Sequence, residues 1–170
     1  MKIIFLDIDG VLNVYPQGHD KWGSIFHDHF IENLKYIIDN TGAKIVITST
    51  WRNGFIIDDV YIDGLNGMIQ MWSDRNLPGE VIGITPDLMM ETGSTLQRGV
   101  EIDMWIDEYQ NSKNIKIDNY VIIDDDDDME PHQLNNFIRT SGNEDHEDCV
   151  DIGYGLTRKC SEMAIRILNS

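Results

Sequence analysis

The chain has 170 residues, 41% of them apolar, with four Trp, six Tyr and five Phe, which suits one domain with one substantial core and excludes a disordered chain. Thirty acidic against thirteen basic residues give a net charge of -17, which repels a polyanion at long range and attracts cations. Binding along a nucleic-acid backbone is disfavoured on that balance, although a single nucleic-acid end could still enter a local pocket.

In chain order, Lys2 to Leu6 is the first predicted strand, and its unbroken apolar run indicates cover on both faces, as in a parallel sheet. The run ends in Asp7-Ile8-Asp9-Gly10. Phe30, Leu34, Ile37 and Ile38 fall at helical spacing within residues 29–40, and Thr41-Gly42 punctuates that helix. A second strand follows in Lys44 to Thr48, so strand, helix and strand form a crossover unit with parallel neighbours. Asn53 to Glu80, interrupted by Gly54, Gly64, Gly67 and Pro78, is expected to hold one or two short helices with loops. Val81 to Ile84 reads as a third strand stopped by Thr85-Pro86. Val100, Ile102, Trp105 and Ile106 mark a helix over 98–109 with one buried stripe. Tyr120 to Ile123 is a fourth strand running into Asp124-Asp125-Asp126-Asp127-Asp128, Cys149 to Ile152 a weaker fifth, and Ser161 to Leu168 a final helix burying Met163, Ala164, Ile167 and Leu168.

Cys149 and Cys160 are too few for a disulfide scaffold and are read as reduced thiols of a cytoplasmic protein. The N-terminal apolar run breaks at Asp7, unlike a signal peptide, and no apolar stretch is long enough to span a bilayer, so no membrane partner is expected.

With strands one and four as parallel neighbours, Asp7 and Asp9 would meet Asp124 and Asp125 at one edge of the sheet. Carboxylates crowded together repel, and a hard divalent cation is the simplest compensation; oxygen donors without nearby His or Cys suit Mg2+. The EF-hand spacing is not matched. His19, His27 and His29 are close in sequence, but their spacing points to surface or packing roles.

Asp7-Ile8-Asp9-Gly10-Val11-Leu12 resembles the first motif of the haloacid-dehalogenase (HAD) superfamily of phosphohydrolases, Thr48 the second, and the strand ending in Asp124-Asp125 the acidic fourth. Ile47 to Arg52, Arg98 to Ile102 with Trp105, and Gly155-Leu156-Thr157 resemble small stand-alone phage and bacterial HAD proteins related to the HAD domains of RNA-repair proteins. The resemblance implies an α/β, three-layer Rossmannoid fold over residues 1–170, with a central five-stranded parallel sheet and a minimal cap. It implies a Mg2+-dependent phosphomonoester hydrolase, with Asp7 as the nucleophile that becomes an aspartyl-phosphate.

On the same resemblance, Asp9 would protonate the leaving oxygen, then deprotonate water, and add its backbone carbonyl to the metal shell. Thr48 would donate to a phosphoryl oxygen, and Asp124 and Asp125 would bind metal beside Asp7 and Asp9. Arg98 is the preferred basic residue of the third motif, ahead of Arg52, Lys113 and Lys116. Asp128 competes with Asp125 as the second acid of the run, while Asp126 and Asp127 read as solvated charges. Asn13 either orients the loop after the first strand or satisfies a turn; Trp51 and Trp105 read as core or rim residues, with base stacking by Trp51 the lesser alternative. The short intervals after strands one and three imply an open site for a phosphorylated small molecule or nucleotide, or a nucleic-acid end. A cation-binding or interaction protein on an inactive scaffold is the alternative outside enzymology, and the retention of both Asp7 and Asp9 weighs against it.

Overall fold

A computed structural model of the chain describes residues 1–15, 17–88, 98–140 and 154–170. Strand β1 (Lys2–Leu6) is followed by a short antiparallel hairpin, β2 (His19–Asp20) and β3 (Gly23–Ser24), and by helix α1 (Asp28–Thr41). Then come β4 (Lys44–Ile47), a 3-10 turn (Thr50–Asn53), a second hairpin of β5 (Phe55–Ile57) and β6 (Val60–Ile62), and α2 (Gly64–Asp74). The chain continues through β7 (Val81–Ile84), α3 (Arg98–Lys113), β8 (Asn119–Asp124), a 3-10 helix (Pro131–Asn136), β9 (Phe137–Arg139) and α4 (Arg158–Leu168).

The central sheet has five parallel strands in the order β7-β4-β1-β8-β9. As the four-residue apolar run of β1 predicts, Ile3, Ile4, Phe5 and Leu6 are all fully buried. Alternation sends them to opposite faces. Ile4 and Leu6 join Ile45, Ile47, Val121 and Ile123 beneath α1, α2 and α4. Ile3 and Phe5 join Val46 and Ile122 beneath Ile102 and Trp105 of α3, with the Trp105 ring edge-on to Phe5. The result is three layers, helix, sheet, helix. No helix of the described residues is long and apolar enough to cross a membrane.

Local signals explain most boundaries. The stripe Phe30, Leu34 and Ile37 faces the core, and Gly42 ends α1 at φ 66° with its N–H on the Ile38 carbonyl. Thr157 caps α4 by accepting the Cys160 N–H. Two stripes differ in detail from expectation. In α3 the buried positions include Glu101 beside Ile102 and Trp105, while in α4 they are Cys160, Ser161, Ala164 and Leu168, with Met163 and Ile167 only partly covered.

The fifth strand of the sheet is Phe137–Arg139; the predicted one at Cys149 to Ile152 lies outside the described residues. Residues 53–80 hold the expected helix but also the unexpected hairpin β5–β6, whose turn residues Asp58 and Asp59 both take positive φ, 50° and 61°. That is the twist-matched two-residue hairpin turn in an unusual sequence.

Register sets the site. Leu6 lies beside Ile47 on one side and Ile123 on the other, so Asp7, Thr48 and Asp124 emerge at the same C-terminal edge. Beyond β4 the packing is tight: a Cβ on Gly64, the first residue of α2, would lie 1.5 Å from the Arg52 carbonyl oxygen. Gly64→Ala should therefore cost about 3 kcal/mol by urea denaturation, although helix propensity alone would favour alanine.

Candidate active site

The chain turns sharply after β1, with the N–H groups of Val11, Leu12 and Asn13 all directed to the Ile8 carbonyl while Ile8, Val11 and Leu12 enter the core. This turn fixes Asp7 and Asp9 differently. Asp7 is 5% exposed, whereas Asp9 stands exposed on the rim. Gly10 sits at φ 76°, and a Cβ there would fall 2.3 Å from the carboxyl carbon of Asp125. Only glycine lets the first acidic loop approach the second so closely.

Arg98 ties the acids together. One guanidinium nitrogen donates to Asp7 Oδ1 at 2.7 Å and to Asp124 Oδ2 at 2.8 Å. Oxygens of Asp7, Asp124 and Asp125 lie within 4.8 Å of one another. Burial pushes the Asp7 and Asp124 carboxyls above their ordinary range, with Arg98 pulling the other way. Burial also works against the charge of Arg98, but Asp124 and Asp7 outweigh it and hold the guanidinium more firmly protonated than usual.

The aspartate run divides its work. Asp124 Oδ1 accepts the Asp126 N–H at 3.0 Å, Asp125 faces Gly10, and Asp126 and Asp127 are exposed. Asp128 is not grouped with Asp7, Asp124 and Asp125; it accepts the Arg98 backbone N–H at 3.0 Å and so caps the first turn of α3. Asp125, not Asp128, stands with Asp7 and Asp124.

Arg52 is also placed elsewhere. It is buried and paired with Glu101 at 2.7 Å and, more distantly, Asp87 at 3.7 Å, while Glu101 also accepts the Leu88 N–H at 3.0 Å. This pair braces α3 one turn beyond Arg98. Lys116 lies at the opposite edge of the sheet, its carbonyl accepting from the N-terminal amine of Met1.

The cleft between the acidic loops encloses about 480 Å³, and Asp7, Asp9, Arg98 and Asp125 line it. No residue of 53–80 does. Thr48 emerges level with Asp7 but does not line the cleft; its hydroxyl is fully buried without a partner among the described residues. Ser49 and Thr50 do line it, and the Ser49 hydroxyl helps pull the Asp7 carboxyl pKa back down against burial. Sequence reasoning missed both, although their position just past the β4 strand end was the available signal. Asn13 donates to Asp9 Oδ1 and the Trp51 indole to Asp9 Oδ2, each at 2.9 Å. The Asp9 carboxylate is thus outside the Asp7, Asp124 and Asp125 group. His27 is buried against Tyr15, His29 and Phe30, a packing role, while His19 pairs with Ser24.

A model of the HAD domain in Swiss Army Knife RNA repair proteins matches residues 3–145. The chain belongs to this HAD family. A solved structure from Legionella pneumophila, assigned as a HAD superfamily hydrolase of subfamily III A, is similar at a TM-score of 0.45 and 14% identity, over 99% of this chain and 83% of that one. Comparison with curated proteins finds no match.

The HAD acids fit a hard divalent cation, since three carboxylates gather where Arg98 pairs with two of them and every donor is oxygen. A raised carboxyl pKa means that protonation of Asp124 stabilises the fold at acid pH and that this support is lost as pH rises through the raised value. At neutral pH without divalent cations, Asp124→Asn should therefore melt above the wild type. A hundredfold excess of Mg2+ over its dissociation constant should raise the wild-type melting temperature by about 5 °C or more and leave Asp124→Asn nearly unmoved, as read by calorimetry.

Proposed function

We propose that this HAD protein hydrolyses phosphomonoesters in a Mg2+-dependent reaction through an aspartyl-phosphate on Asp7. The observation that carries the reading is the separation of two aspartates two positions apart. Asp7 is sunk beside Arg98, Asp124 and Asp125, while Asp9 is held apart on the rim of the same cleft. On this reading Asp7 attacks and Asp9 transfers the proton.

In the first step a carboxylate oxygen of Asp7 forms a bond to phosphorus as the ester P–O bond breaks, and Asp9 gives its proton to the departing alkoxide oxygen. In the second, Asp9 takes a proton from water, the resulting hydroxide attacks phosphorus, and the bond to Asp7 breaks to release inorganic phosphate. Arg98 lies against Asp7 through both steps and offsets the negative charge gathering there. The Ser49 hydroxyl at the cleft wall is the first candidate donor to the phosphoryl oxygens, and the Thr48 hydroxyl, buried without a partner among the described residues, is the second. Asp7, Asp124 and Asp125, with the Asp9 carbonyl, would hold Mg2+, which when bound neutralises phosphoryl charge.

Membership of a family named for RNA-repair proteins supports a second reading in which the ester is the 3'- or 5'-phosphate of a nucleic-acid end. The net charge of -17 restricts that contact to the terminus rather than a long backbone track.

Phosphate release should be measured over sugar phosphates, nucleotides, phosphopeptides and oligonucleotides phosphorylated at either end. Release is expected only with Mg2+, and Asp7→Asn should lower it by about 10³ or more, the scale on which removing a nucleophile acts. Preference for oligonucleotide ends would select the second reading. Absence of Mg2+-dependent release from every substrate would leave a non-catalytic scaffold.

A further inference from the structure

Trp51 belongs to the 3-10 turn after β4, yet its indole N–H reaches across to the other acidic loop and donates to Asp9 Oδ2 at 2.9 Å. Asn13 Nδ2 donates to Oδ1 at the same distance, so each oxygen of Asp9 meets one N–H. The indole is itself held. Phe26 and Phe55 lie 5.5 and 6.2 Å away between ring centroids, and the Arg75 guanidinium sits 5.8 Å over the ring. A Cβ on Gly23, in the β2–β3 hairpin, would come within 3.1 Å of the indole Cη2 atom. Arg75 is anchored in turn by Asp20 at 2.7 and 2.9 Å and by the Gly23 carbonyl at 3.2 Å.

We propose that Trp51 is the positioning residue for proton transfer by Asp9, a role that rests on the hydrolytic reading above. A carboxylate turns readily about its last torsion, where the wells are broad. Donors on both oxygens hold it in one plane while leaving each oxygen a second lone pair for the travelling proton. In the first step that proton passes from Asp9 to the bridging oxygen as the P–O bond breaks. Trp51 itself exchanges no proton and touches no substrate.

Leaving-group chemistry distinguishes this from a purely structural indole. An alkoxide leaves only with a proton, whereas p-nitrophenolate leaves readily without one. Trp51→Phe keeps an aromatic ring among Phe26, Phe55 and Gly23 and deletes the donor. With Mg2+ present, it should lower kcat/KM, which reports only the steps through P–O cleavage, about ten- to hundredfold for an alkyl phosphate, the range for one hydrogen bond to a charged group, and by less than about threefold for p-nitrophenyl phosphate. Asn13→Ala should show the same bias through the other oxygen. Equal losses of kcat/KM on both esters would overturn the positioning role.

A readout independent of turnover covers the case of a variant that does not fold. In the wild-type chain the Trp51 indole N–H should exchange slowly with solvent by NMR, and Asp9→Ala should speed that exchange at least tenfold. Unchanged exchange would refute the link. If the wild type releases phosphate from neither ester nor any substrate of the wider panel while exchange responds to Asp9→Ala, the hydrolytic reading falls and the Trp51 to Asp9 bond stands without a catalytic role.

Discussion

The structure turns on one guanidinium. Arg98 donates through the same nitrogen to two buried carboxylates, Asp7 and Asp124, which come from different strands and would otherwise repel each other in a low-dielectric pocket. Its side chain is only 16% exposed, so water screens these contacts little. The local excess of negative charge that remains is what makes the edge of the sheet suited to a divalent cation.

Much of the second layer serves to hold that guanidinium in place. Asp128 caps the first turn of α3, and Gln133 reaches the Gly99 carbonyl at 2.8 Å from the 3-10 helix after β8. The buried Arg52–Glu101 pair braces the same helix from the β4 side. Both ions of that pair are desolvated, which pushes the Glu101 carboxyl up and the Arg52 guanidinium down, so the contact stabilises only while both partners remain. These residues touch no part of the cleft floor, yet they set where Arg98 projects.

The strands that carry the acids were legible in the sequence because each is an apolar run cut short by a polar residue: Leu6 before Asp7, Ile47 before Thr48, Ile123 before Asp124. β9 was not, since three residues with one fully buried, Ile138, leave no period to detect. The β5–β6 hairpin was hidden by its Asp58-Asp59 turn, which lacks the usual glycine or asparagine. At the site, residue type alone could not separate Arg98 from Arg52 or Asp125 from Asp128. Each of these pairs carries identical chemistry, and only the packing of α3 assigns one member to the cleft and the other to bracing. Ser49, Thr50 and Trp51 were obscured for a related reason: a strand end fixes where the chain emerges, but not which of the next residues turns inward.

Asp7 meets Arg98 across 91 positions of sequence, and β1 meets β8 across more than a hundred. Contacts between β1, α1 and β4 are comparatively local and need close only short loops, whereas bringing β8 beside β1 requires closure of most of the chain. The repulsive acids are therefore divided between a local β1–α1–β4 unit and a strand that only a long loop brings beside it. Ile3 to Leu6 pair with β4 through apolar residues alone, and α3, which precedes β8 in the chain, brings the neutralising cation to the edge where the charges meet. The chain thus supplies the second buried acid and the cation that compensates it from consecutive elements, α3 and β8.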